Sequence, residues 1–255
     1  LNQGTISIFI PAYNAESTIG RVVGRIEPAL WDFINTVYII DDGSIDGTAG
    51  VIDAIAAKNS RCRALHKSVN CGYGATVKSG LALCRNDGCA HAVCLHADGQ
   101  YPPERIGEFV DAMERGNIDL LQGSRIASGG ALRGGMPLYK YVAGKLLCMV
   151  ENRAFGLSLT DYHSGFLVYG RRLLHALDFG RLSDSFDFDL EVIASARASG
   201  FVVDELPIPA FYGDEKSYLN PVTYGMRVAC VVAGYCAGRY RDVCSVNARD
   251  RSAKE

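Results

Sequence analysis

The stretch Ala92-Val93-Cys94-Leu95-His96-Ala97-Asp98-Gly99-Gln100 decides how the chain is read, because a short apolar run breaks off into a carboxylate, a glycine and an amide. An apolar run of this length bounded by turn residues fits a buried strand. In open α/β sheets, ligands bind at the carboxyl ends of such strands. Asp98 and Gln100 offer only oxygen ligands, and Gly99 leaves the backbone between them free to bend. That donor set suits Mg2+ or Mn2+ carried by a phosphate and does not suit zinc.

Working outward from this segment, strand and helix patterns alternate through the first half. Strands are expected at residues 5–10, 36–40, 62–66, 90–95 and 118–122. Asn14 is expected to cap a helix whose face is Ile19, Val22, Val23 and Ile26, and further helices are expected at 48–58, at 73–84 and after Pro102-Pro103. The alternation implies an α/β fold with a mainly parallel central sheet flanked by helices. Beyond Gly123, the pairs Gly129-Gly130 and Gly134-Gly135 bracket a loop containing Arg133, and a helix is expected over 138–155. A strand at 165–169, a helix at 187–199 and a strand at 201–207 follow, with no repeat, low-complexity tract or linker.

Composition narrows the classes. The 255 residues, 48% hydrophobic and 21% charged, suffice for one sizeable core. A net charge of −2 argues against a duplex nucleic-acid binder, which would carry a basic face, so an anionic ligand has to be held by local Arg, Lys or metal. Nine cysteines, an odd number without a Cys-x-x-Cys pair and with no cleavable signal ahead of the first strand, fit reduced thiols in a cytoplasmic protein. The longest apolar run near the C-terminus, residues 228–236, is about half of the roughly 20 residues a spanning helix needs.

Four segments place polar groups just past an apolar run: Ile10-Pro11-Ala12-Tyr13-Asn14-Ala15-Glu16, Ile40-Asp41-Asp42-Gly43-Ser44-Ile45-Asp46-Gly47-Thr48, Asn70-Cys71-Gly72-Tyr73-Gly74-Ala75, and His96 to Gln100. In a parallel sheet all four converge on one crevice. Gly72-x-Gly74 lacks the third glycine of a dinucleotide fingerprint, which speaks against an NAD-dependent oxidoreductase.

Together with Gly123-Ser124-Arg125 and Asp161-Tyr162-His163-Ser164-Gly165-Phe166, this series resembles the family 2 glycosyltransferases of the GT-A fold, in the dolichyl-phosphate mannose synthase-like branch. The resemblance runs in family order over residues 5–220. It implies an inverting hexosyl transfer from a UDP-, GDP- or dTDP-linked sugar, with Mg2+ or Mn2+ on the diphosphate. It implies that Pro11, Tyr13, Glu16, Asp41, Asp42 and Gly74 contact the nucleotide, with Asn14, Gly43, Ser44, Gly72, His96 and Ala97 in the same pocket. Asp98 and Gln100 would hold the metal.

A leaving nucleoside diphosphate gains negative charge, so a metal on Asp98 and the guanidinium groups of Arg125 and Arg133 would stabilise the transition state more than the ground state. His96 stands where relatives often carry Asp and is a weak partner for a hard cation. One firm carboxylate, Asp98, is therefore expected on the metal, and His96 reads as a residue orienting the ribose or the loop. Asp161 reads as a general base or as an anchor for a sugar hydroxyl, with His163 as the alternative base. In the loop Pro207-Ile208-Pro209-Ala210-Phe211-Tyr212-Gly213-Asp214-Glu215-Lys216-Ser217-Tyr218, Lys216 is the residue best able to meet a phosphate.

The acceptor implied by the resemblance is a polyprenyl phosphate. A glycan or other hydroxyl acceptor, and a catalytically impaired nucleotide-sugar-binding protein, stand as alternatives. The helix at 138–155 and the segment 222–240 mix apolar and basic residues, so each either lies peripherally on a membrane or packs its apolar stripe on the sheet. One catalytic domain is expected over residues 1–255, with a nucleotide-sugar-binding half at 1–125, an acceptor-binding half at 126–220 and a helical tail at 221–255.

Overall fold

The computed structural model describes residues 4–210 and 221–245. Among these, seven strands form one sheet in the order β3-β2-β1-β4-β6-β5-β7. They are β1 (Ile6–Ala12), β2 (Ile34–Asp41), β3 (Cys62–His66), β4 (His91–Cys94), β5 (Leu120–Ser124), β6 (Leu167–Gly170) and β7 (Val203–Pro207). All run parallel except β6, which is antiparallel to both β4 and β5.

The sheet is covered on both faces, which is why β1 and β2 read as nearly unbroken apolar runs. On one face, Phe9, Ala92, Cys94 and Tyr169 pack beneath α3 (Tyr73–Asn86) and α7 (Phe188–Ala198). On the other, Ile8, Ile10, Val93 and Val168 meet α1 (Ile19–Gly24) and α4 (Ile106–Gly116). In α4 the buried residues Ile106, Phe109, Val110 and Met113 recur at helical spacing, and the helix ends at Asn117 in the left-handed region. The helix α2 (Thr48–Lys58) joins β2 to β3.

Two expectations change. Asn14 does not cap α1, which begins only at Ile19 after Thr18. Asn14 itself has a φ of +49°, and its side-chain oxygen accepts from Ile45 N–H at 3.0 Å. Asparagine tolerates this conformation, and its oxygen serves the neighbouring β2–α2 loop in place of its own helix. The second change is a short helix, α6 (Arg171–Ala176), that follows β6 directly.

The apolar stripe of α5 (Leu138–Phe155) does not pack on the sheet. Only Cys148, Glu151 and Phe155 are buried, while Leu138, Tyr139, Val142, Leu146, Met149 and Val150 are exposed. Beside it lies α8 (Pro221–Cys236), with the Phe155 and Tyr235 rings 4.8 Å apart and Val222 and Met226 exposed. Of α8, Val228 and Val231 reach the core.

At Gly80, α3 comes so close to β1 that a Cβ there would meet the Phe9 ring at 2.4 Å. Gly80→Val is expected to overpack this contact and cost about 1–3 kcal/mol, read as a lower urea midpoint at unchanged m. An unchanged midpoint would contradict the close approach.

Candidate functional site

The carboxyl ends of β1, β2 and β4 lie along one edge of the sheet. Because β6 runs in the opposite direction, the turn that precedes it, residues 161–166, reaches that edge as well. These three strand ends, the end of β5 and the turn thus enclose the candidate site.

At the β1 and β2 ends, polar side chains hold neighbouring loops together. Asn14 N–H donates to Ser44 Oγ at 2.9 Å, Gly47 N–H to Glu16 Oε2 at 3.0 Å, and Ser44 N–H to Asp41 Oδ1 at 2.9 Å. Asp42 accepts from Cys71 N–H at 3.1 Å and Gly72 N–H at 3.0 Å, and pairs with Lys67 Nζ at 3.1 Å. Gly43 has a φ of +70°, and a Cβ on it would lie 2.5 Å from the Val69 carbonyl carbon. Only glycine fits that turn. Pro11 and Tyr13 are half-buried at the end of β1, beside buried Ala12.

The glycines at the start of α3 have a packing reason. A Cβ on Gly72 would lie 2.8 Å from Asp184 O, and one on Gly74 2.5 Å from Ser183 O. They let α3 approach the 183–185 turn.

Past β4, buried Ala97 is followed by half-buried Asp98, whose Oδ1 accepts from Gln100 N–H at 2.9 Å. Gly99 supplies the φ of +80° that this tight turn needs. Among the described residues Asp98 makes no other hydrogen bond or ion pair, so Oδ2 is available to a cation, with the Gln100 side chain two residues along. No three His, Cys, Asp or Glu side chains among the described residues are grouped to hold a metal. The donor chemistry therefore fits a hard ion that brings phosphate and water ligands with it.

His96 points into the protein. Tyr73 OH donates to Asp189 Oδ2 at 2.7 Å and lies 3.0 Å from His96 Nε2. The His96 ring meets the edge of Tyr101, whose hydroxyl accepts from Gly165 N–H at 2.9 Å. Burial lowers the His96 pKa, with the Asp98 charge opposing and Arg125 reinforcing the shift. Burial pushes Asp189 up to about 7, against the Tyr73 hydrogen bond.

Arg125, just past β5, is committed. Nε donates to Asp161 Oδ2 at 2.9 Å, and Nη2 donates to Asp161 Oδ1 at 3.2 Å and His163 O at 2.8 Å. Burial pushes the Asp161 carboxyl up, but the Arg125 charge and hydrogen bonds outweigh it and hold the group below the usual carboxylate range. Asp161 is consequently a weak base. His163 Nδ1 lies 3.0 Å from Tyr224 OH, and burial drops its pKa to about 4.

Arg133 is not drawn into this cluster. It is exposed on a loop seated so closely on the end of β7 that a Cβ at Gly134 would lie 2.0 Å from Ala210 O. Lys216 and residues 211–218 of its loop lie outside the described residues.

Sequence reasoning missed Tyr73, Tyr101, Glu205 and Glu151. Glu205, on β7, accepts from Thr160 N–H at 2.8 Å and Thr160 Oγ1 at 2.7 Å, pinning the turn that carries Asp161. Tyr73 and Tyr101 sit inside or next to quoted motifs, and that adjacency was the available signal. Asp187, Asp189 and Glu191 stand at the start of α7 and also hold tertiary partners, among them Arg227, Tyr73 and Tyr240.

The architecture is the GT-A fold. It overlays on glucosyl-3-phosphoglycerate synthase from Mycobacterium tuberculosis in complex with Mn2+, UDP and phosphoglyceric acid, with a TM-score of 0.66 and 19% identity over 92% of this chain and 78% of that one. In sequence the chain is 30% identical to polyprenol monophosphomannose synthase of Mycolicibacterium smegmatis over 203 residues, 79% of this chain and 75% of that protein. It is 28% identical to undecaprenyl-phosphate mannosyltransferase of Micrococcus luteus over 202 residues, covering 78% and 80%. The family model described as Glycosyl transferase family 2 matches residues 7–178, and the chain belongs to that family.

Tyr73→Phe is expected to leave His96 Nε2 and Asp189 without their shared partner. The loss should be about 1–3 kcal/mol of stability, read by chemical denaturation. A variant as stable as the wild type would rule out the chain from Asp189 to His96.

Proposed function

We propose that the protein transfers a hexose, with inversion, from a nucleoside-diphosphate sugar to a polyprenyl phosphate at a membrane surface. One observation carries the acceptor class: both base candidates among the described residues are occupied. Asp161 is locked on Arg125 with a depressed pKa, and His163 is neutral and faces Tyr224. A hydroxyl acceptor needs a base, worth about 10²- to 10⁴-fold in rate. A phosphate monoester with a second pKa near 6 is largely a dianion at neutral pH and needs none.

In this reaction the acceptor phosphate oxygen forms a bond to the sugar's anomeric carbon as the bond from that carbon to the diphosphate oxygen breaks. The diphosphate leaves with the electron pair, and no proton is transferred. The segments at the ends of β1 and β2 and at the start of α3 would bind the nucleotide through Pro11, Tyr13, Asn14, Glu16, Asp41 to Ser44, Gly72 and Gly74. Asp98 and Gln100 would hold Mg2+ or Mn2+, which supplies charge neutralisation at the leaving diphosphate. Arg125, aimed by Asp161, would place a fixed guanidinium beside it, and such pre-oriented charge needs no reorganisation during the reaction. Arg133 and Lys216 would reach the phosphates from their loops. The relatives' names support a polyprenyl phosphate, and the solved complexes with Mn2+ or Mg2+ and UDP support a metal-bound diphosphate.

No helix among the described residues is long and apolar enough to cross a membrane. The exposed apolar face of α5 with exposed Lys145 and Arg153, beside Val222 and Met226 of α8, supports interfacial contact.

Two experiments test this reading. With a single carboxylate on the ion, Mn2+ alone should barely stabilise the protein. One of UDP, GDP and dTDP with Mn2+ should raise the melting temperature, through a stabilisation that approaches about 2.7 kcal/mol at 100 times its Kd. Asp98→Ala should remove the Mn2+-dependent part and slow transfer by about 10²-fold or more. Equal shifts for all nucleotides, or none, would count against the pocket. For the membrane, Leu146→Glu with Met149→Glu should reduce flotation with anionic vesicles while leaving the melting temperature unchanged, since both side chains are exposed. Undiminished flotation would reject the α5 face as the contact.

A further inference from the structure

Glu151 on α5 is fully buried, and among the described residues neither carboxyl oxygen has a hydrogen-bond partner. Its Oε2 lies 3.6 Å from His163 Nε2, which has no hydrogen-bond partner either. Two orphaned polar groups at that distance are about half an ångström short of a hydrogen bond. The proposed transfer does not use Glu151, yet the residue it faces sits against the transfer site. His163 N–H donates to Asp161 Oδ1 at 2.9 Å, and its carbonyl accepts from Arg125 Nη2 at 2.8 Å.

We propose that Glu151 is a positioning residue: its carboxyl group closes on His163 Nε2 and, through the His163 main chain, sets the aim of the Arg125 guanidinium. The proposal rests on the transferase reading only for what Arg125 is aimed at.

Protonation makes the contact favourable. Burial, reinforced by the Asp161 charge, pushes the Glu151 carboxyl up to about 8, while burial drops His163 to about 4. At neutral pH a carboxylic acid therefore faces a neutral imidazole. The acid O–H donates to Nε2, and Nδ1–H donates to the Tyr224 hydroxyl. The other titratable groups facing the pair are Cys148 on the same helix, Asp161 and Tyr162 on the turn before β6, and Tyr224 on α8, which also feels Asp189 of α7. The Arg125 guanidinium is paired with Asp161. Ionising Glu151 would bury a second negative charge near Asp161, with no cation paired to it among the described residues, and would remove the donor for Nε2.

The sign of the linkage follows. The folded-state pKa is raised from 4.5 to about 8, so the native state holds a proton that the unfolded chain releases in between. The group's contribution to stability is complete below the lower value and is lost as pH rises through about 8.

The test uses the full chain, with Glu151→Gln as a permanently neutral isostere and Glu151→Leu as an apolar replacement. Three readouts are followed from about pH 6 to about pH 10: melting temperature, the Arg125 Nε–H resonance in ¹⁵N–¹H NMR, and donor turnover. In the wild type, the Arg125 resonance should shift with a midpoint near 8, and turnover should fall over the same range. In Glu151→Gln, both should be flat across that range, with turnover at neutral pH within a few fold of wild type. Glu151→Leu should lose up to about 10²-fold in kcat with little change in KM for the donor. A merely structural role would lower melting temperatures without moving the Arg125 titration.

The proposal is overturned if the wild-type Arg125 resonance ignores pH, if Glu151→Gln keeps the alkaline limb, or if folded Glu151→Leu turns over like wild type. A protein that transfers no sugar, but whose Arg125 resonance titrates near 8 and is flat in Glu151→Gln, would support the coupling and sink the transferase reading.

Discussion

The ion pair between Arg125 and Asp161 is the interaction on which the geometry of the site depends. It joins the end of β5 to the turn before the one reversed strand, and its acid is buried to 3% exposure. A buried pair contributes little net stability, because desolvating both charges offsets most of their attraction. Losing one partner is far more costly, since the other is left charged and unpaired. The value of the pair is therefore geometric. It fixes one arrangement of the guanidinium, and the surroundings reinforce that choice: Glu205 grips the Thr160 and Asp161 main chain, and Ser124 Oγ lies 2.6 Å from Thr160 Oγ1.

The reversal of β6 is what brings this pair to the edge where the parallel strands end. A parallel strand between β4 and β5 would carry residues 161–166 to the opposite edge, away from Asp98. Running backwards, β6 delivers Gly165 to within hydrogen-bonding distance of Tyr101, and Tyr101 meets the edge of the His96 ring. A side chain at 165 would collide with His96, its Cβ coming within 2.4 Å of the ring. The glycine in His163-Ser164-Gly165-Phe166 thus lets two halves of the site touch.

The strand framework was legible in the sequence because apolar runs covered on both faces leave an unmistakable pattern, as in Ile6–Ala12 and Ile34–Asp41. The strand-end motifs were legible for the same reason, since each run breaks off abruptly into turn chemistry. What each polar group bonds to was not. Asn14 reads as a cap because caps are local, yet its partner is Ile45, in the next loop. Asp161 reads as a base, since carboxylate chemistry is visible in a sequence and an arginine thirty-six residues away is not. Glu151 lies in an amphipathic helix where an acid ordinarily marks the wet face. Here the outward face is the apolar one, and the acid is inside.

Three acids of the site region show how environment separates like groups. Arg125 holds Asp161 ionised, burial brings Asp189 to about 7, and burial with a like charge takes Glu151 to about 8. Of the three, the one held ionised is the one a guanidinium balances. Asp189 and Glu151 are the two that burial shifts toward the neutral form. The chain's net charge of −2 makes this discharge consequential, because no general excess of basic residues draws anions in. A phosphate dianion meeting a sugar diphosphate would bring several negative charges into one crevice, and each further ionised acid there would raise the barrier to that encounter. Raising the Glu151 and Asp189 pKa values by burial lowers that barrier without adding a cation.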